Sequence, residues 1–484
     1  MKIVHIATSD MQGGAARAAF RLHRGLAALG ESSSMVVKHK LSQDEQVTRI
    51  QTADDPPSRK FSRQINQIQK FCINQRRTAA SNTAFSLPAP GCDLSLHPQA
   101  RAADILQLHW VTELLSPPAI ARLCALGRPV FWTLHDQRAF TGGCHYSGAC
   151  YNYRNACAHC PQLSGDELGL ADAALRESLE ALPAEGLVVI CPSRWMADCA
   201  RRSALFARAK VLVVPNGIDI NLFRFRPKLE ARQQLGLPAE GVNFVFGADI
   251  FEEKRKGFAL LLEAFRLAFN DPAFRASPAA RQVRLLCFGD AGRELDQFMV
   301  PVNCFGHLQD DEQLARIYAA GDAFLLPSLE DNLPNTMLES MCCGTPVIGF
   351  DIGGLPDVIV PHETGLLVPA GDCEQLAEAI KTFACDAVAR QRMSETCHRT
   401  VPHRFSIEIQ ARRYLDLYQS HLPSHPPFDA VPGLAGPLPL VPLGKPMAAI
   451  FKPLLRQAGK NRLARTWKKL YRLFSRFPGR PPFP

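Results

Sequence analysis

Residues 325–359 read LLPSLEDNLPNTMLESMCCGTPVIGFDIGGLPDVI, and this stretch decides the fold. An apolar run at 323–326 stops at Pro327-Ser328, an acidic loop follows, and a helix is expected to begin near Pro334-Asn335. Proline suits a first helical turn because its missing N–H would be unpaired there anyway, and Asn332 or Asn335 can cap the helix. A second run, 346–350, reads as another strand. Strand, loop, helix and strand in that order, with continuous rather than alternating apolar runs, predict parallel strands buried on both faces. The amides of Asn335, Thr336 and Met337 are expected to be unpaired donors beyond a strand end, placed for a diphosphate. Asp331 before the helix and Glu339 two turns on can accept hydrogen bonds from sugar and ribose hydroxyls.

The same alternation extends in both directions. Upstream, candidate strands lie at 2–7, 34–38, 105–110, 129–134, 187–191 and 211–214, with amphipathic stretches such as 15–29 between them. After the turn signal Pro215-Asn216-Gly217 and a polar linker at 224–238, strands recur at 243–247, 283–288, 323–326, 346–350 and 365–368. At 484 residues the chain suits two domains. The expected fold class is α/β: two Rossmann-like, doubly wound domains facing a cleft, with a basic C-terminal tail. The domains are drawn at 1–215 and 216–405, followed by a closing helix at 406–421 and a Pro-rich spacer and tail at 422–484. Residues 64–92 read as an irregular, mobile insertion.

Two further clusters carry chemistry. Gly13-Gly14-Ala15-Ala16-Arg17 follows the first strand and opens a helix, where glycines let a backbone approach a phosphate; a plain tight turn is the alternative. Its spacing is not GxGxxG, which argues against a nicotinamide dehydrogenase. In the flap at 141–161, Cys144, Cys150, Cys157 and Cys160 fall within 17 residues. Four thiolates can surround a structural zinc; reduced thiols in an ordered flap are the other reading.

Composition excludes several classes. Apolar content of 46% and charged content of 21% are those of a globular protein. The opening MKIVHIATSD makes no signal peptide, and no run approaches the length of a membrane span, so a cytosolic protein with reduced cysteines is expected. Eleven of the 55 basic residues lie from Lys445 onward, where there is no acid, leaving 44 basic against 46 acidic residues before it. The net charge of +9 is therefore a tail. Within 447–477 apolar and basic residues alternate at helical spacing, with Pro453 and Gly459 expected to delay a regular helix until about residue 460. Such a helix can lie on the anionic cytoplasmic membrane face, or pack on its own domain. No nucleic-acid partner is expected, because the body has no positive excess.

The strings EDNLPNT, GTPVI and GGLPDVI, in that order, resemble the retaining GT-B glycosyltransferases of family 4; with TGGCHYS they are similar to the colanic-acid and exopolysaccharide-type bacterial transferases. The resemblance covers roughly residues 1–420. It implies a hexosyltransferase that moves a hexose from a nucleotide-diphosphate sugar to a glycan or polyprenyl-linked acceptor. It also implies that no cofactor is required for catalysis. The family's paired glutamates correspond to Asp331 and Glu339, with Glu330 one residue out of register as the competitor for the donor sugar. Lys256, just before Gly257, matches the lysine that neutralises the donor diphosphate. Ala248-Asp249 stand where an arginine is usual, so Arg255 or Lys254 takes that part. His135, in WTLHD, matches the cleft histidine, with His109 as second choice. The rivals are a GT-B nucleotide-sugar epimerase or phosphorylase, and a zinc and basic-tail nucleic-acid-binding protein.

Overall fold

The computed structural model describes residues 1–51, 64–81, 83–166, 168–183, 185–250, 253–290, 293–308, 310–422, 433–434 and 436–458. In the first half lie β1 (Lys2–Ser9), β2 (Ser32–His39), β3 (Val47–Arg49), β4 (Gly91–Cys92), β5 (Ile105–Leu108), β6 (Val130–Thr133), β7 (Leu187–Cys191) and β8 (Lys210–Val213). All but β4 join one parallel sheet in the order β3-β2-β1-β5-β6-β7-β8. In the second half β9 (Val242–Ile250), β10 (Val283–Asp290), β11 (Val302–Cys304), β12 (Ala323–Leu326), β13 (Val347–Phe350) and β14 (Gly365–Val368) form a second sheet. It is also parallel, in the order β11-β10-β9-β12-β13-β14.

The strand order reverses between β1 and β5 in the first sheet and between β9 and β12 in the second. At such a point the loops part to opposite sides and leave a crevice beyond the strands' carboxyl ends. Every candidate loop follows one of these four strands or β6, their neighbour. Central strands β5, β6, β7, β12 and β13 are buried throughout, as continuous apolar runs require when helices cover both faces. The short strands β3 and β11 escape the sequence reading because they sit at sheet edges, where half-exposed residues show little apolar pattern.

The chain crosses between domains twice, and the crossings bind each other. Ile218 N–H donates to Phe405 O at 2.8 Å, and Ile407 N–H donates to Ile218 O at 3.1 Å. The helix Ile407–Gln419, capped by Ser406, then returns to the first domain. There Tyr414 shares a hydrogen bond with Thr133 at 2.8 Å, and Tyr418 donates to Gln107 at 2.8 Å.

Three expectations are corrected. The polar linker at 224–238 contains the helix Lys228–Gln234, tied into the second domain by Arg232 and Asp322 at 2.7 Å. The described part of 64–92 is packed: Ile68, Cys72, Ile73, Phe85, Leu87 and Cys92 belong to the first core. The described part of the C-terminal spacer is also structured. Leu440–Val441 forms β15, antiparallel to β4, and the helix Lys445–Ala458 runs through Pro453. Leu438, Val441, Met447 and Phe451 are buried in the first core, and Glu177 accepts from the amides of Gly444 and Met447. Burial of these four apolar side chains overrides weak helix and strand propensity. The helix expected from residue 460 to 477 lies outside the described residues.

Candidate active site

A cleft of about 600 Å³ opens where the two switch points face each other. From the first domain it is lined by Gly13 and Gly14 after β1, Trp110 after β5, His135 and Asp136 after β6, and Tyr146 of the flap. From the second come Arg255 and Lys256 after β9, and Asp331, Asn332, Asn335 and Thr336 after β12.

Asp331 is the centre of charge. Its Oδ2 accepts from Lys256 Nζ at 2.8 Å and pairs with Arg255 at 3.1 Å; Tyr146 donates to Oδ1 at 3.4 Å. Burial works to raise this carboxyl, but Lys256 and then Arg255 outweigh it and hold it at about 2. Arg255 is anchored further by Glu253, by the Glu330 carbonyl at 2.8 Å and by the Tyr146 ring at 4.4 Å. Lys256 is the more exposed of the two cations. Glu330 does not line this cleft; its carboxylate accepts from the Gly148 amide of the flap at 2.9 Å. Of the two acids, Asp331 is the one that lines the cleft.

Two glycine motifs hold this loop in place. A Cβ on Gly353 would stand 1.7 Å from Asp331 O, and one on Gly354 would stand 1.9 Å from Asn332 O. At Gly257, φ is +74° and a Cβ would meet Pro327 O at 1.8 Å. GGLPDVI and KRKG thus let backbones close beneath Asp331 and Lys256 where any larger residue would push them apart.

The helix start differs from expectation. Pro334 is the N-cap of Asn335–Cys342, without a side-chain cap. Asn332 donates instead to the carbonyls of Leu134 and His135, at 2.9 and 3.1 Å, and so ties the acidic loop to the first domain. Asn335 donates to Gly14 O at 2.9 Å and accepts from Asn216 at 3.1 Å. Asn335 and Thr336 line the cleft. Met337 does not: its amide donates to Pro334 O at 3.2 Å and its side chain is fully buried. Glu339 is also outside the cleft lining, on the inner face of the helix. There its Oε1 accepts from Arg21 at 2.7 Å and Tyr318 donates to its Oε2 at 3.4 Å.

On the opposite wall His135 lies in the cleft, and burial lowers its imidazole to about 4 although Asp136 pulls the other way. It is neutral at pH 7. Its Nε2 meets His109 Nδ1 at 3.2 Å, and His109 Nε2 meets His5 Nδ1 at 3.0 Å. Beside it Asp136 accepts from Trp110 at 2.9 Å and contacts His145 at 2.7 Å. Sequence reading missed Arg21, Trp110, Tyr146 and Asn332 as site-forming residues. Tyr146 and Asn332 carried a signal, since they sit inside TGGCHYS and EDNLPNT.

Cys144, Cys150, Cys157 and Cys160 line one small cavity with Phe85 and Tyr153. Among the described residues, however, no group of three or more His, Cys, Asp and Glu is placed to hold a metal ion. Burial raises the thiols of Cys144, Cys157 and Cys160 above their ordinary value, that of Cys157 to about 12. As placed, the four cysteines do not make up the expected zinc site. Among the described residues no helix is long and apolar enough to cross a membrane.

Comparison with known proteins agrees with this geometry. Residues 12–222 match the family model Glycosyltransferase Family 4, and residues 241–386 match Glycosyl transferases group 1. A D-inositol 3-phosphate glycosyltransferase of Saccharomonospora viridis is 31% identical over 43% of this chain and 50% of its own length. One of Segniliparus rotundus is 30% identical over 52% and 58%. The chain thus spans about half the length of these curated relatives. Among solved structures, a sucrose-phosphate synthase from Thermosynechococcus elongatus superposes with a TM-score of 0.58 at 20% identity, covering 86% of this chain and 98% of that one. Anabaena HepE in complex with UDP-glucose gives 0.56 at 17% identity, covering 87% and 100%. At such identities the likeness is one of fold. With one matched region on each sheet and a cleft between them, the chain has the GT-B fold and is similar to the glycosyltransferases of family 4.

Proposed function

We propose that this protein transfers a hexose from a nucleotide-diphosphate sugar to a hydroxyl of an acceptor. The observation that carries the reading is the convergence of Lys256, Asp331, the helix start at Asn335-Thr336 and the Gly13-Gly14 loop on one interdomain cleft. A departing diphosphate gains negative charge, and a preorganised lysine and backbone amides stabilise that charge more in the transition state than in the ground state. Asp331 orients hexose hydroxyls and holds Lys256 over the cleft. His135, neutral, hydrogen-bonds the sugar from the opposite wall. We favour retention: the acceptor oxygen bonds C1 on the face that the phosphate leaves, the C1–O(phosphate) bond breaks, and the acceptor proton passes to the leaving oxygen. Positive charge from the protein makes a metal unnecessary for the step.

The acceptor we propose is a glycan or polyprenyl-linked sugar of surface polysaccharide synthesis, met at the cytoplasmic membrane face through the basic tail. The names of the inositol-phosphate relatives support a second reading, a small polyol phosphate. The test is nucleotide-diphosphate release from a panel of nucleotide sugars, with lipid-linked glycan, inositol phosphate or no acceptor. Acceptor-dependent release with a new glycoside supports transfer. Release with a free epimerised sugar, or no use of any nucleotide sugar, refutes it.

A further inference from the structure

His135 heads a row of three imidazoles, and the two behind it, His109 and His5, have no part in the transfer chemistry as proposed. His5 on β1, His109 after β5 and His135 after β6 sit on three adjacent strands and are joined ring to ring at 3.0 and 3.2 Å. Neighbouring rings are stacked, with centroids 5.3 and 5.5 Å apart. His5 and His109 are buried, and His5 Nε2 has no hydrogen-bond partner among the described residues. A row of this kind is a tertiary product, since 104 and 26 residues separate its successive contacts.

Three neutral imidazoles carry three protons, and the two contacts leave only two consistent arrangements. In one, every ring is protonated on Nδ1: His5 donates to His109, His109 donates to His135, and His135 keeps Nδ1–H free. His5 Nε2 is then a bare lone pair in the core. In the other, every ring is protonated on Nε2, the donation runs the opposite way, and His5 is left with a buried N–H that nothing accepts. A buried donor without an acceptor is the rarer and costlier defect. Burial also opposes any fourth proton, since it lowers all three imidazoles below their ordinary value.

We infer that His109 and His5 are positioning residues that lock His135 as a neutral Nδ1–H donor. Resting on the transfer reading, this assigns His135 an oxygen acceptor on the substrate, a sugar hydroxyl or a phosphate oxygen, and denies it the part of a base. The ladder of parallel strands holds the three rings in line, and the unpartnered Nε2 of His5 sets the direction of donation.

The test reads tautomers rather than turnover. In the free full-length enzyme labelled with ¹⁵N-histidine at pH 7.5, the signal lost on H135Q is that of His135. Protonated Nδ1 and bare Nε2 are expected there; protonated Nε2 in the wild type overturns the proposal. H109L should shift His135 toward Nε2–H, and H109Q, whose amide can still donate, should restore Nδ1–H. In the transfer assay H109L should lower kcat tenfold or more with KM changed less than threefold, and H109Q should recover most of it. An unchanged His135 signal in H109L also overturns it. Should H109L fail to fold, the wild-type spectrum decides alone. If no nucleotide sugar is used by any variant, the transfer reading fails while the tautomer assignment stands.

Discussion

Arg21, on the first helix of the N-terminal domain, donates to Glu339 of the second domain, Nη2 to Oε1 at 2.7 Å. Both side chains are nine-tenths buried, and Arg21 also lies over the Phe223 ring at 5.4 Å. The carboxylate expected to meet the donor ribose is therefore part of the clamp between domains in this state.

Breaking one side of a buried pair leaves an uncompensated charge, so R21M should lower the unfolding free energy by roughly 3 kcal/mol. The double variant R21M/E339Q should regain part of that loss in denaturant titrations. E339A alone should weaken donor affinity as well as stability. Wild-type donor affinity in E339A would remove Glu339 from the donor site.

Asp331 and Glu330 separate by their surroundings. D331N should reduce turnover tenfold or more, whereas E330Q, which loosens the flap contact at Gly148, should cost less than threefold. A severe effect from E330Q alone would reverse the register.

The depressed carboxyl also gives a pH signature. A folded-state value of about 2 against an ordinary 3.8 means that the unfolded chain binds the proton more readily. The resulting stability, on the order of 2 kcal/mol, is full above about pH 4 and fades as pH falls toward 2. Wild type should lose more unfolding free energy than D331N across that window, and parallel curves would show that the pair is not formed in solution.

Lys256 is expected to act mainly on the leaving group. K256A should lower kcat by about a hundredfold with a smaller change in KM, because its charge matters most as the diphosphate departs. A fallen thermal midpoint with unchanged turnover would make it a structural residue.

For the flap cysteines, metal analysis of untagged protein should find well under one zinc per chain, and all sixteen thiols should react once the protein is unfolded. Stoichiometric zinc would overturn the thiol reading.

The tail must be tested by cutting in the right place. Truncation after Leu422 removes Leu438, Val441, Met447 and Phe451 from the core and should destabilise the protein by on the order of 5 kcal/mol. Truncation after Ala458 should leave stability intact and abolish salt-sensitive binding to anionic liposomes. Equal liposome binding by the full chain and the Ala458 truncation would end the membrane hypothesis.

What the sequence determined by itself is the parallel α/β character of both halves and the loops that bear the site. Continuous apolar runs such as 187–191 and 323–326 have one economical burial, inside a parallel sheet, so their positions agree with β7 and β12 to the residue. Gly257 and the Gly353-Gly354 pair entered the reading only through the family strings, and the close backbone approach that permits no substitute there became visible in the fold. Tertiary structure alone decided the partners. Asp331 rather than Glu330 meets the cleft because a one-residue step along the loop turns the side chain toward Lys256 instead of toward the flap. Glu339 found Arg21 across 318 residues, and the histidine row needed three strands brought side by side. Leu438 and Val441 read as spacer and Met447 and Phe451 as the start of the tail, because local propensities there are weak, and the apolar surface of a distant core gives them an ordered place. Local sequence records the free-energy preferences of short segments, whereas pairings over hundreds of residues depend on where the whole chain puts its surfaces.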